Sequence, residues 1–383
     1  MIQHIALSKT FREFLDAERA GGALLVLCTA LSIALANSPI GQAYVDSWHA
    51  SLGVVSVERF INDALMAVFF LLIGLELERE LYVGELSEFR NALVPAVAAA
   101  GGAALPALIH FSLNAGTPAQ AGVGIPMATD IAFALGVLAL LGARVPASLK
   151  VFLAALAVMD DLIAVVVIAV FYTAELSSAH LLAALGVFGF LLVLNRLRVL
   201  SLVPYLAGGA VMWYFMFQSG VHATITGVLL AFAIPFTGRD GYEGSPSHRM
   251  EHFIQRPVAF IVLPVFALAN TAIVFGPGAL ETLTSSNSLG IIAGLLVGKP
   301  AGIALLTLVA VSTGLCRLPE DLRWRHIFGV GLLGGIGFTM SIFVANLAFI
   351  GDPAMVSASK VAVLFASVIA GFLGWLWLRI AAP

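Results

Sequence analysis

Apolar runs recur along the chain at 21–36, 60–77, 92–113, 121–142, 151–172, 180–195, 200–217, 221–236, 257–275, 287–313, 327–348 and 359–380, with short polar connections between them. A bilayer-crossing helix needs roughly 20 apolar residues, so the pattern predicts an all-α polytopic membrane protein of about twelve transmembrane helices, some short. No soluble module is appended, and 1–383 is predicted as a single transmembrane domain. Residues 1–19, with clustered charges, are predicted as an interfacial helix before the first run. The longest hydrophilic stretch, Thr237 to Arg256, is predicted as a loop. Ala34-Leu35-Ala36 resembles a signal-peptidase site, but the acids ahead of it favour an uncleaved first span.

Two of these runs are interrupted at corresponding places. The fourth carries Gly122-Val123-Gly124-Ile125-Pro126 ahead of Ala128-Thr129-Asp130, and the eleventh carries Gly334-Gly335-Ile336-Gly337 ahead of Phe338-Thr339. Each is the middle of three runs. That pattern predicts inverted-topology repeats, about 92–172 and 287–380, with two broken helices and a transport site at the breaks. Glycine alone would say little, because membrane helices use it to pack closely. The adjacent Thr and Asp add weight.

Charge inside these runs is the most informative chemistry. Asp160 and Asp161 lie in the middle of the 151–172 run, where each carboxylate costs roughly 2.5–3.5 kcal/mol to insert. Neighbours on a helix point about 100° apart, so one can meet a fixed counter-charge and the other a mobile ion. Lys299, in Gly298-Lys299-Pro300, is the base within a run and must pair with a buried acid or give up its proton. Asp130 follows the first break, where it either balances the positive ends of half-helices or contacts an ion directly. Three acids against one base leave an excess of negative charge. Carboxylate oxygens suit a hard cation such as Na+ or Li+, and the same oxygens bind H+. If the two compete for a site that opens alternately to each face, exchange follows.

Composition narrows the class. The chain is 60% hydrophobic and 11% charged, with a mean hydropathy of +1.02. No basic patch suggests nucleic acid. Cys28 and Cys316 have neither CxxC spacing nor the number for a disulfide framework. A GxxxxGK[ST] loop is absent, so ATP is not called for, and no cofactor is expected beyond the transported ions. An intramembrane aspartyl protease would need GxGD, which does not occur, and its two acids on facing spans. A cation channel or sodium-coupled symporter remains open at this point. With both termini on the cytoplasmic side, all but three of the 19 basic residues fall on that side; Arg59 and Lys360 fall opposite and Lys299 lies within a run.

Other polar residues have two readings each. Asp63, in Asn62-Asp63 at the start of the second run, either caps the helix or lines an ion path. Glu76, Glu78, Arg79 and Glu80 read as a solvated helix end with local ion pairs, or as a functional cluster. His222 and Glu251-His252 are structural or titrate near neutrality.

Taken together, Phe60-Ile61-Asn62-Asp63-Ala64-Leu65-Met66-Ala67-Val68-Phe69-Phe70, Gly74-Leu75-Glu76, Ala128-Thr129-Asp130-Ile131-Ala132-Phe133-Ala134-Leu135-Gly136, Met159-Asp160-Asp161-Leu162, Gly220-Val221-His222-Ala223-Thr224, Gly298-Lys299-Pro300 and Gly335-Ile336-Gly337-Phe338-Thr339-Met340-Ser341 resemble the NhaA family of bacterial sodium/proton antiporters. The similarity runs in order through nearly the whole chain. It implies twelve helices in the bacterial inner membrane, the fourth and eleventh broken and crossing at mid-membrane. It also implies electrogenic exchange of Na+ or Li+ for a larger number of H+, activated at alkaline pH. Asp161 would be the principal ion and proton ligand and Asp160 its partner, paired with Lys299 in one state. Asp130, Lys299 and Thr129 would serve the half-helix ends. Glu76, Arg79, Glu80, Glu251 and His252 would form a cytoplasmic pH-responsive cluster, with His222 its counterpart on the opposite side. The family's homodimer forms through an extended hairpin, for which Ser38 to Glu58 is short. After Glu251-His252 the chain reads Phe253-Ile254-Gln255-Arg256-Pro257, where similar proteins often carry a second histidine.

Overall fold

The computed structural model describes residues 9–53, 55–84, 87, 89–173, 176–237, 244–276 and 281–381. In chain order the helices are α1 (Lys9–Ala36), α2 (Gly41–His49), α3 (Val57–Tyr82), α4 (Phe89–Asn114), the 3-10 helix Pro118–Met127, α5 (Ile131–Ala139), α6 (Ala147–Phe171), α7 (Ser178–Arg196), α8 (Val203–Ser219), α9 (Ile225–Ala233), α10 (Pro246–Asn270), α11 (Ser286–Ser312), α12 (Trp324–Gly334), α13 (Phe338–Ala348) and α14 (Pro353–Ala381). Among the described residues, the one β feature is an isolated bridge between Ser51 and Ser56. The protein is an all-α polytopic membrane protein: among the described residues, seven helices are long and apolar enough to span a membrane, ten if each bent pair is one span. The shorter α8 and α9 fall on the remaining two apolar runs.

Three sequence expectations change. The predicted interfacial helix is not separate, since α1 runs unbroken from Lys9 to Ala36; residues 1–8 lie outside the described residues. The second span starts at Val57, where Ser56 caps by accepting from the Arg59 amide, so Asp63 sits inside the helix and caps nothing. The predicted loop 237–256 is helical from Pro246, with 238–243 outside the described residues. Ser245 accepts from the His248 amide and Pro246 supplies a preset φ at the first turn, a start signal that the polar composition masked. The segment Ser38 to Glu58 holds a short helix, α2, and the single bridge.

The chain divides into two compact units, Met1–Ile33 with Glu88–Ala164 and Ile273–Pro383, and Ala34–Ser87 with Val165–Ala272. The first contains both interrupted spans. The 3-10 helix and α5 are bent by 42°, and α12 and α13 by 46°. The Gly122–Pro126 stretch does not itself break the span: it is 3-10 helical, and the extended residues are Ala128 and Asp130. In the second pair the break falls where the glycines predicted it, at Gly335–Gly337.

Close helix approach in this unit is bought by glycine. A Cβ on Gly101 would run into the carbonyl oxygen of Gly302, and one on Gly302 into that of Gly101, so α4 and α11 touch backbone to backbone. In lipid such contact supplies packing that apolar burial alone cannot, because tails are as apolar as the helix surface. A turn earlier on α11, Gly298 lies against Pro106 of α4. Lys299, the next residue, is thereby fixed relative to α4.

In the second unit, α3 packs on α9, where Gly74 meets Ala231 and Gly227 meets the backbone of Ala67 and Phe70.

Candidate ion-binding site

Unwinding two helices inside the first unit leaves four buried half-helix ends, each with backbone groups that need partners. Asp130 serves the two N-termini. Its Oδ1 accepts from the Phe133 amide of α5 at 3.0 Å, and its Oδ2 from the amide (3.0 Å) and hydroxyl (2.6 Å) of Thr339 in α13. One carboxylate thus lies at two positive helix ends. The Asp130 amide donates to the Ile336 carbonyl at 2.6 Å, and the Ser341 hydroxyl to the Ile125 carbonyl at 2.6 Å, which stitches the breaks together.

The two C-termini meet donors. Lys299 Nζ donates to the carbonyl of Met127, the last residue of the 3-10 helix. The Thr129 hydroxyl lies 2.9 Å from the carbonyl of Gly334, the last residue of α12, and 2.6 Å from Asp160 Oδ2. Asp160 Oδ2 also accepts from Lys299 Nζ at 2.7 Å, and both side chains are fully buried. Lys299 stands directly after a π-helical turn, Gly294–Gly298, and ahead of Pro300, whose missing N–H loosens the helix there.

Within this web of satisfied groups, two atoms have no partner. Asp160 Oδ1 and Asp161 Oδ1 are buried without a hydrogen bond. Asp161 is 1% exposed and interacts electrostatically with Asp160 and Asp130 as like charges and Lys299 as the opposite one. Two unpaired carboxylate oxygens next to a surplus of negative charge can take a small cation or protons. Among the described residues, no group of three or more His, Cys, Asp or Glu side chains is placed to hold a metal.

The remaining predicted residues lie in the second unit. Arg79 bridges Glu251 (Nη1–Oε1 2.6 Å) and Glu80 (Nη2–Oε1 2.9 Å). Glu76 and Glu78 are buried, at 3% and 4% exposure, which corrects the picture of a solvated helix end. Glu78 accepts from the Ser247 hydroxyl at 2.7 Å. Sequence reasoning passed over His248, whose Nδ1 is 3.9 Å from Glu251 Oε2 and whose ring lies 6.4 Å from that of His252. The signal was present: His248, Glu251 and His252 share one face of α10 at helical spacing. A second histidine is therefore supplied a turn before Glu251 and not within Phe253 to Pro257. Replacing Arg79 with Ala leaves Glu251 buried without its strongest counter-charge, so thermal unfolding in detergent should show a loss of about 3–5 kcal/mol. Asp63 pairs with Arg59 (Nε–Oδ2 3.4 Å) in a π-helical turn, and its carbonyl accepts from Trp213. His222 lies between α8 and α9, where its ring senses the Arg59 charge.

The family model described as Na+/H+ antiporter 1 matches residues 12–378. This chain belongs to the NhaA family of Na+/H+ antiporters. A relative in Dechloromonas aromatica, named Na(+)/H(+) antiporter NhaA, is 66% identical over 373 residues, covering 97% of this chain and 96% of its own length. Its counterpart in Flavobacterium psychrophilum is 55% identical over 369 residues, covering 96% and 95%, and that in Mesorhizobium japonicum is 49% identical over 369 residues, covering 95% and 93%. The NhaA relatives are named as transporters. Family and apolar helices together make this an integral membrane protein.

Proposed function

We propose that this protein exchanges Na+ or Li+ for H+ across the bacterial inner membrane by competition of cation and protons for Asp160 and Asp161. The observation that carries this reading is the pair of buried, unpaired carboxylate oxygens beside the Asp160–Lys299 ion pair. A sodium ion held there takes one oxygen from each aspartate and completes its shell from hydroxyl, carbonyl or water oxygens. To bind it, Asp161 gives up a proton. Asp160 turns from Lys299 toward the metal, and a second proton leaves from that pair. Two protons against one Na+ make the exchange electrogenic, driven by the membrane potential.

The rest of the cluster supports movement. Asp130, Thr129 and Lys299 hold four half-helix ends by a few polar bonds, so the breaks can rearrange without leaving backbone groups bare. Glu76, Glu78, Arg79, Glu80, Glu251, His248 and His252 form the pH-responsive group, with His222 and Asp63 toward the other end of their unit. The whole chain acts as one transmembrane domain with cytoplasmic termini, and a homodimer would use the α2 region.

Purified protein in liposomes tests this. An imposed Na+ gradient should acidify or alkalinise the lumen according to its direction, faster when a K+/valinomycin potential assists net charge movement. Co-transport reverses the sign of proton movement, and a channel carries Na+ with no proton flux; either result removes the reading.

A further inference from the structure

Outside the carboxylate cluster, the first unit holds a second set of fully buried polar side chains at the Asn114 end of α4: His110, Asn114, Asn287 and Ser359, none more than 1% exposed. Their bonds dictate where each hydrogen lies. The Ser359 hydroxyl donates to the Met355 carbonyl (2.8 Å) and so accepts from Asn287 Nδ2 (2.8 Å). Asn287 Oδ1 is then the acceptor that faces His110 Nε2 at 3.1 Å, and that nitrogen must carry the hydrogen. In the neutral ring, His110 Nδ1 is left as a bare acceptor, and it has no partner. Asn114 spends both amide hydrogens on carbonyls, of His110 (2.9 Å) and Ser286 (3.1 Å), which leaves its Oδ1 as another acceptor without a partner.

Two buried acceptors one helical turn apart, with no donor for either, call for a hydrogen. We propose that His110 is a proton-binding site separate from the aspartates, with Nδ1 taking the proton and Asn114 Oδ1 the acceptor on the same helix face. The site is built closely. A Cβ on Gly290 would meet Asn114 Nδ2 and His110 Cδ2, each at 2.8 Å, and one on Gly122 of the 3-10 helix would lie 3.2 Å from Asn287 Oδ1. The groups tied to the ring directly or through Asn114 and Asn287 are Ser286 and Asn287 from α11 and Ser359 from α14, with Lys360 next along that helix. Among the described residues, the side chain that hydrogen-bonds the ring is that of Asn287, a neutral group. Protonation therefore places a new charge where α4, α11, α14 and the 3-10 helix converge. The far end of that 3-10 helix is Met127, the carbonyl partner of Lys299. Charging His110 clamps the first half of the broken span.

Nitrogen-15 spectra of histidine-labelled protein in bilayers test the site without reference to transport. His110→Gln assigns the signal, since the variant keeps a donor to Asn287 but cannot take a proton. The expected spectrum has Nε2 protonated and Nδ1 bare at alkaline pH, with both protonated on acidification. A ring that stays neutral wherever the protein stays folded, or that carries its hydrogen on Nδ1, overturns the proposal. The clamp has its own arm: H110Q should transport at acid pH about fivefold faster than wild type, the lower end of ordinary coupling between two sites, with unchanged alkaline rate. An unaltered acid limb overturns the clamp, whatever the spectra show.

Discussion

Asp161→Asn should abolish Na+-driven proton movement while leaving the protein folded and inserted. The substitution keeps shape and removes one thing, a carboxylate that can be either charged or protonated. Asp161 Oδ1 makes no hydrogen bond, so little structural support is lost. A neutral amide offers a hard cation one weak oxygen and cannot exchange a proton for it. Transport in proteoliposomes should fall to the level of empty vesicles, with the thermal midpoint kept or raised, because a buried charge near Asp160 and Asp130 has gone. Full exchange by the variant would assign the chemistry to another group.

Asp130→Ala should have the largest effect on stability. It strips the acceptor from the partly buried Phe133 amide and from the buried amide and hydroxyl of Thr339, at the ends of two half-helices. Each unsatisfied buried donor costs about 1–3 kcal/mol, and the positive ends of α5 and α13 then face each other without a counter-charge. Several kcal/mol should disappear from unfolding measurements in detergent, and transport with them. Asp130→Asn keeps one acceptor oxygen, so it can serve one helix end but not both; its loss should be intermediate. Equal stability of the Ala variant and wild type would show that the half-helix ends have other partners.

Much of this site was legible because charge in an apolar run is rare and costly. Asp160, Asp161 and Lys299 stand out on that ground alone, and a lone base among buried acids predicts its own pairing. The identity of the helix ends was not legible. Nothing in the order of residues says that the Thr129 hydroxyl lies between Asp160 and the Gly334 carbonyl, or that Thr339 joins Asp130, since the contacts to Gly334 and Thr339 span 205 and 209 residues of chain. The first break was misplaced by a few residues because glycine and proline mark weak helix, whereas a 3-10 helix accommodates Pro118 at its first turn and Pro126 near its end. The start of α10 was hidden for the opposite reason. Its polar residues face Glu78 and Arg79, partners that hydropathy cannot see, so a packed amphipathic helix read as a loop. Fold class survives such errors because it rests on the number and spacing of apolar runs, to which each contributes alone.

The most direct measurement is Na+ affinity of the wild-type protein as a function of pH, by calorimetry in detergent. If cation and protons exclude one another at Asp160 and Asp161, Kd rises on acidification by about tenfold per pH unit for each proton displaced, and two protons give a steeper, about hundredfold, dependence. A Kd that stays constant over the range in which transport varies would contradict the account.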